Sequence, residues 1–286
     1  MNAIPTIPDE LIDSLKKNRC SVFIGAGLSV AAGYPTWASL LAKLIGRAAS
    51  QHIINTNKQL ELTQIANLSN KWLMVAQELH DLYGRGPFLN ELGNIFEEVQ
   101  SKPTKAHEVI TKIPFKFVVT TNYDQLIENA YFPLLNRIPK IFTHQDTPDF
   151  ADALWKQEFF ILKAHGDLQK KSSIILTEKD YRTIVYSSPG YRALLAAIFT
   201  TKTLLFLGAS LGDPEIQLLL RSLHDAFQGS GQYHFALVDK TDFCETEASY
   251  WRKNYNVCCI PYEPSQGHPE VAGFLEALKF ALNATQ

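Results

Sequence analysis

Short apolar runs alternate with stretches of helical periodicity along most of this chain, and this alternation limits the folds that it can adopt. The strand candidates are Ser21–Ile24, Phe115–Thr120, Glu158–Lys163, Thr203–Leu207, Tyr233–Val238 and Val257–Ile260. Apolar strands separated by helices predict a mainly parallel sheet that helices cover on both faces. The predicted fold class is therefore α/β, with a Rossmann-like sheet.

Residues from about 51 to 112 interrupt this alternation, because their apolar residues recur at helical rather than alternating spacing. That spacing is carried by Trp72, Val75, Ala76, Leu79 and Leu82. We interpret the stretch as a helical insertion within a single domain that spans residues 1–286, a length that suits one large α/β domain. Before the insertion, Thr36 is the expected N-cap of a helix that runs to Ala49.

The charge balance and the cysteines exclude several classes of protein and site. A formal net charge of -2 gives no broad attraction to nucleic acid or acidic membranes, and no apolar run is long enough to span a bilayer. The four cysteines, Cys20, Cys244, Cys258 and Cys259, form no C-x-x-C pair, so neither a four-cysteine zinc site nor a disulfide framework is expected. The amino terminus lacks the pattern of a signal peptide. We therefore expect a cytoplasmic protein without a structural metal.

A glycine turn, Gly25-Ala26-Gly27-Leu28-Ser29, follows the first strand candidate. Glycine lets a ligand approach the backbone more closely than a residue with a Cβ atom does. Backbone amides at such a turn, just before a helix, favour a diphosphate. A plain strand-to-helix turn explains the same residues equally well, and no Walker-type lysine follows them.

Two polar segments follow the second and third strand candidates. The segment T-N-Y-D contains Asn122 and Asp124, for which helix capping is the simpler explanation. The segment K-A-H-G-D contains His165, which at a strand end can transfer protons or bind ribose hydroxyls. An ordinary loop histidine is the more common case, so neither segment identifies a site alone.

Two more segments follow the fourth and fifth strand candidates. In G-A-S-L-G-D-P, Gly208 and Ser210 are candidates for binding a ribose or phosphate oxygen, and Asp213 is a candidate helix cap. Asp239 is a candidate for contact with an adenosine group, although capping explains it at least as well. Ligands of open α/β sheets bind at the carboxyl ends of strands, which is where all these segments fall.

In sequence order, G-A-G-x-S, T-N-Y-D, H-G and G-x-S-L resemble the sirtuin superfamily over roughly residues 20–240, apart from the helical insertion. The residues that this resemblance assigns to NAD binding are Gly25, Ala26, Gly27, Ser29, Gly208 and Ser210. It also implies that Asn122 and Asp124 lie beside the nicotinamide ribose and carboxamide, and that His165 is the catalytic histidine.

Two departures separate this chain from the protein-deacetylating sirtuins. Those sirtuins carry a four-cysteine zinc module after the His-Gly motif, whereas this sequence has no cysteine between Cys20 and Cys244. They also carry G-I-P-D-F-R after the first loop, where this chain has G-Y-P-T-W-A, with Trp37 left to cover the nicotinamide site. The chain therefore resembles the zinc-free, sirtuin-like NADases of bacterial anti-phage systems, including Thoeris-type effectors and those paired with Argonaute or HerA-type ATPases.

The resemblance implies a hydrolase that cleaves NAD⁺ to nicotinamide and ADP-ribose or a cyclic form, with NAD as substrate and without a metal. Nicotinamide leaves as a neutral molecule, so positioning and polar stabilisation matter more than a strong acid. In this hypothesis Asn122 orients the ribose or the water, His165 binds ribose hydroxyls or acts as base, and Asp124 fixes the carboxamide. Two alternatives stay open: a deacylase or ADP-ribosyltransferase, and a non-catalytic module that senses NAD or an ADP-ribose derivative.

The resemblance also implies control of the activity, because an enzyme that consumed NAD⁺ freely would harm its own cell. We expect a homo-oligomer, or a partner such as an Argonaute-type protein or a HerA-type ATPase. A bound nucleotide is a third route to control. The helical insertion at about 51–112, with its bulky apolar residues, is the expected contact surface or lid, although a local helical core is the simpler explanation of any single one of them. Direct binding to nucleic acid or to a membrane is not expected.

Overall fold

The computed structural model describes residues 4–284, in which seven parallel strands form one sheet. The strands are β1 (Cys20–Ile24), β2 (Val118–Thr120), β3 (Lys140–Phe142), β4 (Phe160–Lys163), β5 (Thr203–Leu207), β6 (His234–Asp239) and β7 (Val257–Tyr262). Their order across the sheet is β3-β4-β2-β1-β5-β6-β7. The chain thus builds to one side of β1 as far as β4 and then to the other side from β5, which makes β1 the topological switch point.

Fourteen α-helices and two short 3-10 helices occur among the described residues. The α-helices are α1 (Asp9–Lys16), α2 (Ala26–Val30), α3 (Trp37–Ser50), α4 (Thr56–Ala66), α5 (Trp72–Tyr83), α6 (Arg85–Glu97), α7 (Lys105–Ile110), α8 (Leu126–Leu135), α9 (Thr147–Trp155), α10 (Glu178–Ser187), α11 (Pro189–Thr201), α12 (Pro214–Ala226), α13 (Glu245–Tyr255) and α14 (Pro269–Asn283). The 3-10 helices span Ser69–Lys71 and Lys171–Ser173. None of the described helices is both long and apolar enough to cross a membrane.

Successive strand residues point to opposite faces of the sheet and belong to two apolar clusters. Phe23 and Phe206 pack in one cluster with helices α9 to α13, whereas Ile24 and Leu205 pack in the other with α1, α7, α8 and α14. Burial on both faces explains why the strands are almost continuously apolar. The structure confirms the predicted α/β fold, with a Rossmann-like parallel sheet and helices on both faces.

A third apolar cluster is formed mainly by helices α3 to α6, with Leu44, Val75 and Leu92 among its buried residues. The expected cap is present, because the side chain of Thr36 accepts a hydrogen bond from the backbone of α3. Helix α7 packs instead with the cluster of α1 and α14 on the sheet. The division of the chain at about 51–112 stays a prediction.

The structure differs from the predicted strands most at β2 and β3, while the bounds of β1, β4, β6 and β7 differ by one or two residues. Strand β2 begins at Val118 rather than at residue 115, although the two residues before it still hydrogen-bond to β1. Strand β3 was not predicted, because it contains only three residues, of which two are not buried. A segment so short at the edge of a sheet shows no periodicity that sequence analysis can use.

Candidate functional site

Four strands end at the same level on the carboxyl edge of the sheet. Ile24 of β1 pairs with Thr120 of β2 and with Leu207 of β5, and Thr120 pairs with Lys163 of β4. The four motifs singled out in the sequence each begin directly after one of these residues. The register of the sheet therefore brings them to one place, beside the switch point at which such sheets bind ligands.

The two glycine loops at this edge lie directly against each other. The Gly27 amide donates to the Gly208 carbonyl oxygen at 2.8 Å, and a Cβ atom on Gly25 would lie 2.4 Å from the Cα atom of Ala209. Gly208 has a φ of +58°, and a Cβ atom there would lie 2.2 Å from the Leu28 nitrogen. Contact between the loops therefore requires these glycines whether or not a ligand binds.

This contact also uses amides on which diphosphate binding was expected to depend. The amides of Gly25, Gly27 and Leu28 all donate to protein carbonyl oxygens, and helix α2 has only five residues. The loop still provides room, because Gly27 is exposed and has no side chain. Diphosphate binding at Gly25, Ala26, Gly27 and Ser29 thus stays a prediction.

Asn122 lies against the glycine turn, and only 7% of it is exposed. Its Nδ2 atom donates to the Gly25 carbonyl oxygen at 3.1 Å and to Ser29 Oγ at 2.9 Å, while Ser29 Oγ donates to Asp124 Oδ2 at 2.7 Å. A carbonyl oxygen only accepts, so the contact with Gly25 fixes which end of the Asn122 amide is Nδ2. Oδ1 of Asn122 is left as a buried acceptor that has no hydrogen-bond partner in the described part of the chain. Such an acceptor is costly unless water or a ligand satisfies it.

Helix capping, the simpler explanation of the T-N-Y-D segment, accounts for only part of it. Asp124 Oδ1 accepts from the Leu126 amide at 3.0 Å, at the start of α8. The other carboxylate oxygen of Asp124 is used by Ser29, and the side chain of Asn122 binds the glycine turn instead of a helix. The segment therefore joins β2 to the first glycine loop.

A buried lysine links the segment after β2 to the turn after β4. Nζ of Lys163, which is fully buried, lies 2.8 Å from Glu128 Oε1 and 3.3 Å from Asp167 Oδ1. It also donates to the carbonyl oxygens of Tyr123 and Asp124, at 3.3 and 2.7 Å. Burial alone would lower the pKa of Lys163, but the charges of Glu128 and Asp167 outweigh burial and raise it. The charged ammonium group therefore holds the two segments together.

His165 is buried in the turn after β4, with 2% of it exposed. Its Nε2 atom lies 3.2 Å from Asp213 Oδ2, and the Tyr181 hydroxyl donates to the same oxygen at 2.9 Å. Burial alone would lower the pKa of His165, but the charge and hydrogen bond of Asp213, with the charge of Glu215, raise it. Burial likewise opposes ionisation of Asp213, yet its pKa is lowered by His165. The two groups therefore form an ion pair.

The first turn of α12 supplies the acidic groups around His165. Asp213 Oδ1 accepts from the amides of Glu215 and Ile216 at 3.1 and 3.0 Å, which confirms Asp213 as a helix cap. The carboxyl group of Glu215 is buried, and neither of its oxygens has a hydrogen-bond partner among residues 4–284. Burial raises the pKa of Glu215 to about 7, against the opposing charge of His165. A proton can therefore leave or join this carboxyl group near neutral pH.

The site consists of two clusters that different strands position. The amide cluster contains Gly25, Ser29, Asn122 and Asp124. The histidine cluster contains His165, Tyr181, Asp213 and Glu215. The amide cluster presents a fixed hydrogen-bond acceptor, and the histidine cluster contains groups that exchange protons. The arrangement suits a reaction in which a substrate hydroxyl or water is oriented and deprotonated.

Six predicted site residues lie outside both clusters. Ala26, Gly27 and Gly208 belong to the two glycine loops described above, and the other three lie elsewhere. Trp37 stacks on Trp72, with ring centroids 6.2 Å apart and planes inclined by 6°, at the edge of the α3 to α6 cluster. Ser210 is exposed, and its hydroxyl closes a local turn. Asp239 Oδ1 accepts from the amide and the hydroxyl of Thr241, just after β6. Their contacts with NAD stay predictions.

Sequence reasoning missed Lys163, Tyr181 and Glu215, and it saw only the capping role of Asp213. The sequence did give one indication of Lys163, which ends the apolar run of β4. A lysine is rarely buried in such a position unless it is paired with an opposite charge. Tyr181 comes from α10, and no pattern marks it. Glu215 looks like an ordinary acidic residue in the first turn of a helix. Within the described residues, no group of three or more His, Cys, Asp or Glu side chains is arranged to hold a metal ion.

The chain is similar to several bacterial proteins of known name. It is 27% identical over 247 residues to the NAD(+) hydrolase ThsA of Acinetobacter baumannii (strain 532279), which covers 84% of this chain and 47% of that protein. It is 28% identical over 229 residues to the NAD(+) hydrolase ThsA of Bacillus cereus (strain MSX-D12), covering 79% and 44%. Defense-associated sirtuin 2 of Bacillus subtilis is 27% identical over 237 residues, covering 82% and 22%. The chain spans about half the length of the ThsA proteins that it matches.

A solved structure, described as a complex of a Sir2 homolog with NAD, covers 99% of this chain and 98% of its own, at 12% identity and a TM-score of 0.47. The family model of the SIR2-like domain matches residues 116–260. The match covers half of the chain and includes β2, β4 and β5, and thus Asn122, His165 and Gly208. This chain therefore belongs to the SIR2-like domain family.

Proposed function

We propose that this protein cleaves NAD⁺ and releases nicotinamide. Attack of water on C1′ gives ADP-ribose, and attack by a group of the same ADP-ribosyl unit gives a cyclic form. The observation that carries the proposal is the buried Oδ1 acceptor of Asn122 at the switch point of the sheet, which has no hydrogen-bond partner among residues 4–284. The names of the ThsA relatives support the same reaction. NAD⁺ is the substrate in this proposal and not a resident cofactor.

The bond to be broken joins C1′ of the ribose to the nicotinamide nitrogen. Its electron pair leaves with nicotinamide, which departs as a neutral molecule. The oxygen of water then bonds to C1′, and a proton of that water passes to a base and on to solvent. Such a reaction depends on holding the ribose and the water in place and on stabilising a cationic ribose.

The two clusters provide these functions in the proposed mechanism. Oδ1 of Asn122 accepts a hydrogen bond from the attacking water or from a ribose hydroxyl, since Nδ2 is already fixed by the protein. His165 takes the proton. Asp124 fixes the carboxamide, and its negative charge favours the cationic ribose.

The rest of NAD⁺ lies along the carboxyl edge of the sheet in this proposal. The residues proposed to bind it are Gly25, Ala26, Gly27, Ser29, Trp37, Gly208, Ser210 and Asp239. Strands β1, β5 and β6 are neighbours, so the first glycine loop, the second loop and Asp239 follow one another along the edge. This order suits a dinucleotide whose diphosphate lies over β1 and β5 and whose adenosine extends toward β6.

The proposed setting is anti-phage defence in the cytoplasm, with activity controlled by assembly. The name of Defense-associated sirtuin 2 supports the role in defence. Leu60 of α4, together with Met74 and Leu82 of α5, is exposed and forms a candidate contact surface for a second copy, whereas Leu79 and Phe88 are buried in the local core. An Argonaute-type protein or a HerA-type ATPase is the other candidate partner. Either raises turnover only by binding the active arrangement more tightly than the inactive one.

The test is incubation of the purified protein with isotope-labelled NAD⁺ over a range of protein concentrations, followed by mass spectrometry and size analysis. We expect nicotinamide and ADP-ribose, linear or cyclic, in equal amounts, with turnover that rises as an oligomer forms. Asn122→Ala should slow product formation at least ~100-fold, and Asn129→Ala on the exposed face of α8 should not change it. Label transferred to a protein residue, deacylation of a lysine peptide, or binding without turnover in every assembly state would each contradict a hydrolase.

A further inference from the structure

We infer that Asp213 and Tyr181 are positioning residues that determine which nitrogen of His165 carries the proton. They hold the proton of the neutral ring on Nε2 and so make Nδ1 the basic nitrogen of the site. The inference rests on the proposed function, in which His165 is the base. Neither Asp213 nor Tyr181 touches the reacting atoms in this arrangement, because both act through the histidine ring.

The carboxylate of Asp213 is held at both of its oxygens. Oδ1 accepts from the amides of Glu215 and Ile216 at the start of α12. Oδ2 faces Nε2 of His165 at 3.2 Å and accepts the Tyr181 hydroxyl at 2.9 Å. The group cannot rotate away from His165 without losing its cap bonds. The start of α12 therefore fixes the position of Oδ2 relative to the ring.

The protonation of the ring follows from this contact. An ionised carboxylate only accepts hydrogen bonds, so the Nε2 atom beside Asp213 must carry a hydrogen. In a neutral imidazole the other nitrogen then has the lone pair. The Tyr181 hydroxyl lies 3.4 Å from Nδ1 and 3.3 Å from Nε2, and its proton is donated to Asp213 and not to Nδ1. Above the pKa of His165, where the ring is neutral, Nδ1 can therefore take a proton from water or a ribose hydroxyl.

Several titratable groups surround His165 from different elements. Tyr181 faces it from α10, Asp213 and Glu215 from the start of α12, and His144 from the segment between β3 and α9. Asp213 is the largest of the influences that favour the charged ring, and burial is the influence that opposes it. Removal of the Asp213 charge should therefore let burial lower the pKa of His165.

Asp213→Asn is the main test, because asparagine caps helices as well as aspartate does. The amide oxygen must keep the cap bonds, so its NH₂ group faces His165 and can only donate. Nε2 becomes the acceptor, the ring proton moves to Nδ1, and the base is lost. We expect a decrease in kcat of at least about 100-fold, the lower end of the contribution of a general base. Nitrogen-15 NMR of the histidine rings should show the Nδ1–H tautomer and a lower pKa for His165.

Tyr181→Phe should change the pKa of His165 in the opposite direction. Without the hydrogen bond from Tyr181, the Asp213 carboxylate should stabilise the imidazolium of His165 more strongly. The pKa of His165 should therefore rise, while the Nε2–H tautomer is kept. The rise of activity with pH should move to higher pH. Two variants with opposite shifts separate positioning through Asp213 from general damage to the fold. If Asp213→Asn does not fold, Tyr181→Phe alone decides, and an unchanged pKa overturns the inference.

Asn55→Ala is the matched control for a lost helix cap, since Asn55 caps α4 by accepting from the Lys58 amide at 2.9 Å. It should change neither the tautomer nor the pKa of His165. The same tautomer and pKa in wild type and Asp213→Asn would overturn the inference. NMR detects the ring tautomer whether or not the protein cleaves NAD⁺. If the tautomer changes in Asp213→Asn but the wild type never cleaves NAD⁺, the positioning role is supported and the proposed function is refuted. A decrease in kcat without a tautomer change would refute the positioning role alone.

Discussion

The two clusters of the candidate site begin at the same level of neighbouring strands, yet they hold their key side chains by different means. Asn122 is fixed by hydrogen bonds from its neutral amide to the Gly25 carbonyl and to Ser29. His165 is fixed by an ion pair with Asp213. A neutral amide keeps its hydrogen bonds over a wide range of pH, whereas an ion pair lasts only while both partners are charged.

This difference separates positioning from proton transfer. The strands β2 and β4 are neighbours, and Asn122 and His165 each lie two residues beyond a pair of matched strand residues. The backbone positions of Asn122 and His165 are therefore equivalent, and the two residues differ in the groups that surround their side chains. The Asn122 acceptor does not change with pH, whereas His165 titrates. The charged side chain of Lys163 connects the two segments.

The largest expected effect is on turnover. Asn122→Ala and His165→Ala should each slow NAD⁺ cleavage at least ~100-fold, because each removes a positioned or proton-transferring group. The comparison further predicts that the residual activity of Asn122→Ala keeps the pH midpoint of the wild type, whereas His165→Ala loses the rise with pH. The measurement is kcat/KM from about pH 5 to about pH 9, with circular dichroism to show that both variants fold.

His80→Ala, which removes a histidine of α5 paired with Asp81, is the matched control and should behave as wild type. Similar pH profiles for the two site variants would break the proposed separation of roles. Near-wild-type turnover in either folded variant would remove that residue from the mechanism.

The second prediction concerns the link between the clusters. Lys163→Met leaves Glu128 buried without its counter-charge and should lower the free energy of unfolding by about 3–5 kcal/mol. The added change Glu128→Gln should restore part of the loss. Lys140→Met removes an exposed ion pair with Glu158 and should cost at most about 1 kcal/mol. Urea unfolding measures all four proteins, and equal losses for the two lysine variants would show that the buried link has no special role.

The third prediction tests whether the histidine cluster titrates. The folded protein raises the pKa of Glu215 from 4.5 to about 7, so the folded state binds this proton more tightly than the unfolded state does. Stability is then lost as pH rises from about 4.5 to about 7 and stays reduced above that range. Glu215→Gln cannot ionise and should be more stable than wild type at about pH 8, by up to roughly 3 kcal/mol, with a much smaller difference at about pH 5.

Free energies of unfolding in urea, measured for both proteins at the two pH values, check this prediction. Glu91→Gln is a control of the opposite kind, because the pKa of Glu91 is lowered, first by its hydrogen bond with Arg47. Its effect should be destabilising and nearly the same at both pH values. A stability difference for Glu215→Gln that does not change with pH would show that Glu215 is not titrating in this range.

Much of the fold could be predicted from the sequence, because local composition determines it. The run T-L-L-F-L gave β5 with its exact bounds, since a buried parallel strand is apolar on both faces. Strand β3 could not be predicted, because it has three residues at an edge. Helices α4 to α6 appeared in the sequence only as a helical stretch, because helical periodicity shows an apolar side and not its packing partner.

The residues of the candidate site could also be predicted from the sequence only in part. Asn122 and His165 lie in segments directly after strands, where sequence position predicts location. The partners of His165 come from α10 and from the start of α12, many residues away along the chain. Asp213 looked like a helix cap and is one, but its second oxygen acts on His165, and only the tertiary structure shows this.

The smallest expected effect concerns the second nucleotide loop, where Ser210 belongs to neither cluster. Ser210 is exposed, and its hydroxyl accepts from the Gly212 amide at 3.2 Å, so Ser210→Ala should leave the stability nearly unchanged. If the hydroxyl binds a ribose or phosphate oxygen, its loss should weaken NAD⁺ binding by about 0.5–1.5 kcal/mol, which is roughly 2- to 13-fold. Calorimetry in the Asn122→Ala background measures binding without turnover.

Gly27→Val is a poorer test, because a Cβ atom there would lie 2.8 Å from the Gly208 carbonyl oxygen even without NAD⁺. Ser230→Ala, in the exposed segment before β6 at the opposite edge of the sheet, is the control; equal NAD⁺ affinities for the two serine variants would show that the second loop contributes no hydrogen bond from Ser210.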